Sequence, residues 1–289
     1  MKKVLLFISF ILITSCSKEE METKESPSLN TEEIHFCSTD DITSQANETG
    51  RVSYKGHYWV PGQIIKIKFL NGDAYVQNKV KQIANQWVSY ANVKFAWVAS
   101  NQTADIKIAF KWNGDTGSWS IIGKYAANIA QNTPSMNFGW FDSKTSDMEF
   151  NSTTLHEFGH ALGLGHEHLN PTANIQWNKP YVYAEYAKQG WNAEKVDFNV
   201  LNPIPVSKAD YTIFDKKSIM LYPFPASFTL NNYSTPWNII LSDVDKASMG
   251  ILYPFPSGTT PPRVAPNKST LYMNQSIQVD KAIVSQNNR

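Results

Sequence analysis

The sequence predicts an α+β chain, and three patterns predict it. Apolar residues alternate over residues 64–69, 93–97 and 106–110, the period of a half-buried strand. Behind Asp73, the residues Val76, Val80, Ile83, Ala84, Trp87 and Ala91 recur at helical spacing. A further helix is predicted from Ser152, opening a histidine-rich segment.

The first strand is Ile64-Ile65-Lys66-Ile67-Lys68-Phe69. The helix behind Asp73 is predicted to run on to Ala91, because its apolar face does not break before then. Val93-Phe95-Trp97 and Ile106-Ile108-Phe110 are the next strands. Ser120-Ile121-Ile122-Gly123 and Met136-Asn137-Phe138-Gly139-Trp140 are strand candidates around Gly- and Asn-rich turns. After the histidine-rich helix come loops, a short helix near residues 181–188, and a late helix. Ser242 opens that late helix, and Asp245 stands at capping-box spacing from it.

Composition excludes several classes. With 26 basic and 25 acidic residues in 289, the net charge is +1, so there is no basic excess for nucleic-acid binding. A hydrophobic content of 42% excludes a disordered chain. Two cysteines exclude a disulfide scaffold.

The N-terminus reads as an address. Met1-Lys2-Lys3 precedes an apolar run over residues 4–13, too short for the roughly 20 residues a membrane-spanning helix needs. This is the layout of a secretory signal. Ile13-Thr14-Ser15-Cys16 resembles the lipobox of bacterial lipoproteins, which implies a lipidated Cys16 and an exported protein at the outer membrane or cell surface. The other reading is a plain secretory signal that contains a cysteine. The expected order is a signal at 1–15, a polar prosegment at 16–50, a working domain at 51–254, and a Pro-rich linker with a short tail at 255–289.

One segment carries chemistry: His156-Glu157-Phe158-Gly159-His160-Ala161-Leu162-Gly163-Leu164-Gly165-His166-Glu167-His168. On a helix, His156 and His160 lie about 40° apart around the axis and about 6 Å along it, so both imidazoles reach one ion. Gly163 ends the helix in a conformation glycine tolerates, and His166 returns as a third ligand. Three imidazoles favour Zn2+ and leave a position open, the mark of a catalytic site. Glu157 is placed to meet a water on that ion. His168 stands just outside the pattern and is expected to play a supporting role. His35 and His57 are expected at the surface.

The segment resembles the metzincin signature H-E-x-x-H-x-x-G-x-x-H, and Glu167 directly after it resembles the astacin version. Ser218-Ile219-Met220-Leu221-Tyr222 resembles the astacin Met-turn. Ala104-Asp105-Ile106-Lys107-Ile108, Gly117-Ser118-Trp119-Ser120, Asn174-Ile175-Gln176-Trp177 and Gly250-Ile251-Leu252-Tyr253 add to it. The resemblance implies a twisted mixed sheet with an active-site helix, and a mostly irregular C-terminal subdomain below the zinc cleft. It implies a zinc endopeptidase acting on proteins or peptides. Met220 would be an apolar floor under the metal, and Tyr222 a fifth ligand that swings away to stabilise the oxyanion. It also implies a new N-terminus buried against Glu167 after cleavage by an activating protease. Matrixins lack a tyrosine at the place of Tyr222. Unlike vertebrate-type astacins, this chain has no cysteine after residue 37.

With Cys16 lipidated, Cys37 has no partner in the chain. A thiolate upstream of an open zinc position is a candidate latency ligand, a cysteine switch. Astacin prosegments use an aspartate, and Asp40 or Asp41 is the alternative; an inert surface or dimerising thiol is the third. Residues 117–122 are the candidate edge for an extended substrate. The rival function is a catalytically silent surface binding or adhesion protein, from which an intact Glu157 and three histidines separate this chain.

Overall fold

A computed structural model describes residues 56–205 and 210–259. Cys16, His35, Cys37, Asp40, Asp41 and nearly all of the C-terminal tail lie outside the described residues. Five strands form one mixed sheet: β1 (Ile64–Phe69), β2 (Lys94–Trp97), β3 (Ile106–Phe110), β4 (Trp119–Ser120) and β5 (Met136–Phe138). Their order is β2-β1-β3-β5-β4. Only β4 runs antiparallel, opposite β5, and it closes one edge.

The helices α1 (Ala74–Ala84) and α2 (Asp147–Ala161) precede three shorter ones, α3 (Lys179–Ala187), α4 (Ala193–Val196) and α5 (Asp243–Leu252). Asp73 caps α1 by accepting from the backbone of Tyr75 and Val76. α1 stops seven residues short of Ala91, because the chain tightens into a 3-10 turn at Trp87–Ser89. Trp87 and Ala91 stay fully buried through that turn, which is why the apolar pattern ran on unbroken.

α2 also departs from expectation: it starts at Asp147, not near Ser152. Ser146 and Glu149 form a capping box, each side chain bonded to the other's backbone. From Ser152 to Ala161 every residue of α2 is buried, so it is the central helix of the molecule. Its apolar residues Phe150, Leu155 and Phe158 join one core cluster with α1 and the sheet. The late helix α5 opens on the expected box, Ser242 with Asp245.

β3 was expected to bury one face and buries both, all five of its residues being covered. Lys107 is fully buried there. Its ammonium donates to the carbonyls of Asp105 and Ala126, which offsets part of the cost of desolvation. Burial still pushes its pKa down to about 8. His57 was expected at the surface but is half-buried, its ring edge-on to Tyr125 at 4.5 Å. Its carbonyl lies so close to Gly123 that a Cβ there would sit 2.0 Å away.

Beyond α2 regular structure is sparse. Val182, Tyr186, Val196, Val200, Leu201, Phe224 and Phe228 make a second, smaller apolar cluster. A short π-helical turn, Asp197–Leu201, follows α4. Neither α4 nor this turn has a sequence long enough to show a period.

Candidate active site

α2 presents His156 and His160 on one face, with their Nε2 atoms 3.0 Å apart. His166 Nε2 lies 3.2 Å from His160 Nε2. The outer nitrogens are committed elsewhere. His156 Nδ1 donates to the carbonyl of Ile219 at 2.9 Å, and His160 Nδ1 to that of Leu164 at 2.8 Å. Those bonds fix the tautomer in which the Nε2 lone pairs face inward, toward one point. Burial pushes the pKa of His156 down to about 4. It pushes His160 and His166 well below their usual value too, helped by the neighbouring histidines. Three neutral, converging imidazoles fit Zn2+ without proton release, and they are the metal-binding cluster found among the described residues.

The turn that delivers His166 is a Schellman motif. Gly163, at φ +95°, donates to the carbonyl of His160, and Leu164 donates to that of Gly159. A Cβ on Gly163 would also lie 2.8 Å from the Tyr58 ring. Reversal at Gly163 supplies the Leu164 carbonyl that orients His160. One glycine therefore serves two ligands. Two remaining carbonyls of the helix end are taken by Trp59 Nε1, at Ala161, and by the Tyr253 hydroxyl, at Leu162.

The segment Ser218–Tyr222 passes beneath α2. Met220 is buried, and a Cβ on Gly159 would lie 2.3 Å from its sulfur. Gly159 is thus the opening through which the methionine reaches the helix. Asp245 holds this segment from α5: its carboxylate accepts from Ser218 Oγ (2.7 Å), Ile219 N (2.8 Å) and Ser242 N (2.8 Å). Ile219 is gripped at both ends, its N–H by Asp245 and its carbonyl by His156. Burial nonetheless raises the Asp245 pKa to about 6. Sequence reading placed Asp245 in a helix cap only. Its second role spans a long loop and leaves no local signal, as does the role of Gly159.

Glu157 is fully buried on α2, next to His156. The Tyr222 ring is nearly perpendicular to His166 at 5.0 Å and to His156 at 6.1 Å. His168 stacks on His166 at 5.1 Å, and its Nε2 donates to the Asn199 carbonyl. Glu167 is buried; its Oε1 accepts from Asn170 Nδ2 and Asp215 N, and its own N–H donates to Met220 O. Burial pushes its pKa up to about 8.

A buried three-histidine cluster, a glycine turn and a methionine beneath it define a zinc-protease centre. A family model described as matrixin matches residues 63–179. The chain is similar to a solved structure of myroilysin at 39% identity and TM-score 0.67, with 71% of this chain and 98% of that one covered. A second structure, described as a crystal structure of myroilysin, is also 39% identical, with TM-score 0.56 and coverage of 73% and 93%. Serralysin B of Dickeya chrysanthemi is 28% identical over 120 residues, 38% of this chain; the chain spans only 25% of the length of that relative. The chain belongs to the metzincin zinc proteases.

Proposed function

We propose that the chain is an astacin-like zinc endopeptidase, exported as a latent precursor. The observation that supports this best is the convergence of His156, His160 and His166 beside a buried Glu157 on the same helix. The matrixin match ends at residue 179, before the Met-turn, so Tyr222 supports the astacin-like subtype from outside it. His156, His160 and His166 would hold a zinc ion, which would supply Lewis-acid activation of a water and of the scissile carbonyl. Glu157 takes that water's proton and returns it to the leaving amine. Tyr222 donates to the developing oxyanion. Protein substrates lie extended along β4, the edge of the sheet.

Glu157→Gln should keep zinc and lose about 100-fold or more in kcat on casein, as removal of a general base does. Full activity in that variant would overturn the assignment.

The same reading extends to the leader: a signal at 1–15 with a lipid on Cys16, and a prosegment at 16–50 whose Cys37 thiolate occupies the open zinc position until an activating protease removes it. Cys37→Ala should yield a precursor that cleaves casein without processing. A variant as latent as the parent would move the role to Asp40 or Asp41.

A further inference from the structure

Edge strand β4 has two ladder residues, too few to hold a shape of its own. Trp119 pairs with Asn137 and Ser120 with Met136, and Ile121 N donates to Ser135 O. That register turns the N–H and C=O of Ser120 away from β5, to the outer side of the strand, where the residue is covered in this structure. The loop that feeds β4 is strained: Lys111 (φ 48°) and Asn113 (φ 51°) both lie in the left-handed region.

Something must therefore hold this loop, and the structure shows what does. Asn137 on β5 is fully buried. Its Oδ1 accepts from Trp112 N at 3.1 Å, near the loop's start, and its Nδ2 donates to Gly117 O at 2.6 Å, near its end. One amide thus spans the loop. A second contact lies nearby: Gly139 N donates to the buried Ser118 Oγ at 3.2 Å. A Cβ on Gly139 would lie 2.1 Å from the Thr116 carbonyl carbon, so the two backbones touch.

We infer that Asn137 is a positioning residue for substrate: it fixes the outward backbone groups of β4 against which an extended peptide pairs. Its amide is needed at both ends. A carboxylate of the same size accepts from Trp112 N but cannot donate to Gly117 O, and it repels that carbonyl. Asn137 lies on the sheet, and none of the residues it hydrogen-bonds to or pairs with there is a zinc ligand. Its loss should leave the metal and the proton-transfer groups in place.

This inference rests on the proposed docking of substrate along β4. The test compares an eight-residue fluorogenic peptide with a short one covering only the residues either side of the scissile bond, in the zinc-loaded protein. Asn137→Asp should raise KM for the long peptide by about tenfold, the size of one or two lost backbone hydrogen bonds, with kcat within about twofold. The short peptide's kinetics and the bound zinc should stay as in the parent. Ser118→Ala, a milder change to the same loop, should shift KM in the same direction by less. Equal losses on both peptides, or a lowered Tm with an unchanged long-peptide KM, would reduce Asn137 to a structural role. A parent protein that cleaves the short peptide and handles the long one no better would overturn the β4 docking itself.

Discussion

The zinc centre is assembled from two regions built by different means. The sheet with α1 and α2 is held by one continuous apolar cluster, and it places His156 and His160 on one face by helix geometry. The stretch from Glu167 to Leu241 has short helices and a small cluster of its own. It is organised by polar side chains gripping distant backbone: Asn170 at Thr212, Thr235 at Tyr222, Asp245 at Ile219. The difference teaches that a metal site needs both kinds of order. Packing places a helix; buried hydrogen bonds place a loop that has no ladder of its own.

The largest expected effect breaks the loop side. Asp245→Ala leaves Ser218 Oγ, Ile219 N and Ser242 N without their acceptor. At roughly 1–3 kcal/mol for each orphaned buried donor, the loss should be about 3 kcal/mol or more by urea titration of the zinc-free protein. Zinc affinity, measured against a competing chelator, should fall about tenfold or more through His156. Ser242→Ala removes only the cap that Asp245 N uses and should cost about 1 kcal/mol with zinc affinity kept. Equal zinc loss in both variants would mean that the cap, not the grip on Ile219, is what matters.

A smaller effect tests the contact between the regions. Gly159→Ala forces a methyl into the Met220 sulfur and should destabilise by about 1–3 kcal/mol, the usual cost of overpacking. Adding Met220→Ala should relieve part of that loss; additive losses would show that the two residues do not meet.

A third effect lies within the sheet and depends on pH. Lys107 has a folded pKa of about 8, below the usual 10.5. Between those two values the unfolded chain binds a proton that the folded one does not. Stability therefore rises with pH across that window, and below it the buried charge is a constant cost. The Tm of the parent, relative to Lys107→Met, should climb from pH 8 to pH 10. A difference that stays flat would mean that the carbonyls of Asp105 and Ala126 keep the ammonium charged.

How much was legible follows the same division. The ligands were, because i and i+4 on a helix is a local rule and Gly163 ends that helix by another. The Ser242–Asp245 box was legible for the same reason. The start of α2 was not: Ser152-Thr153-Thr154 has the look of a cap, while the true cap at Ser146 precedes a polar turn in which only Met148 and Phe150 are apolar. The burial of Lys107 was not legible, since the alternation of Ile106, Ile108 and Phe110 says nothing of whether β3 is covered on both faces. Asn137, Gly159 and the second role of Asp245 depend on what the chain brings alongside from far away, and no spacing records that.

The double grip on Ile219 also has a consequence in time. His156 can take its place on α2 as soon as that helix exists, but the carbonyl that turns its ring is itself held by a carboxylate on α5. During synthesis the centre therefore stays incomplete until α5 has been made. A ribosome carrying all three histidines has not yet made a finished protease, and every unfinished chain is spared a working blade.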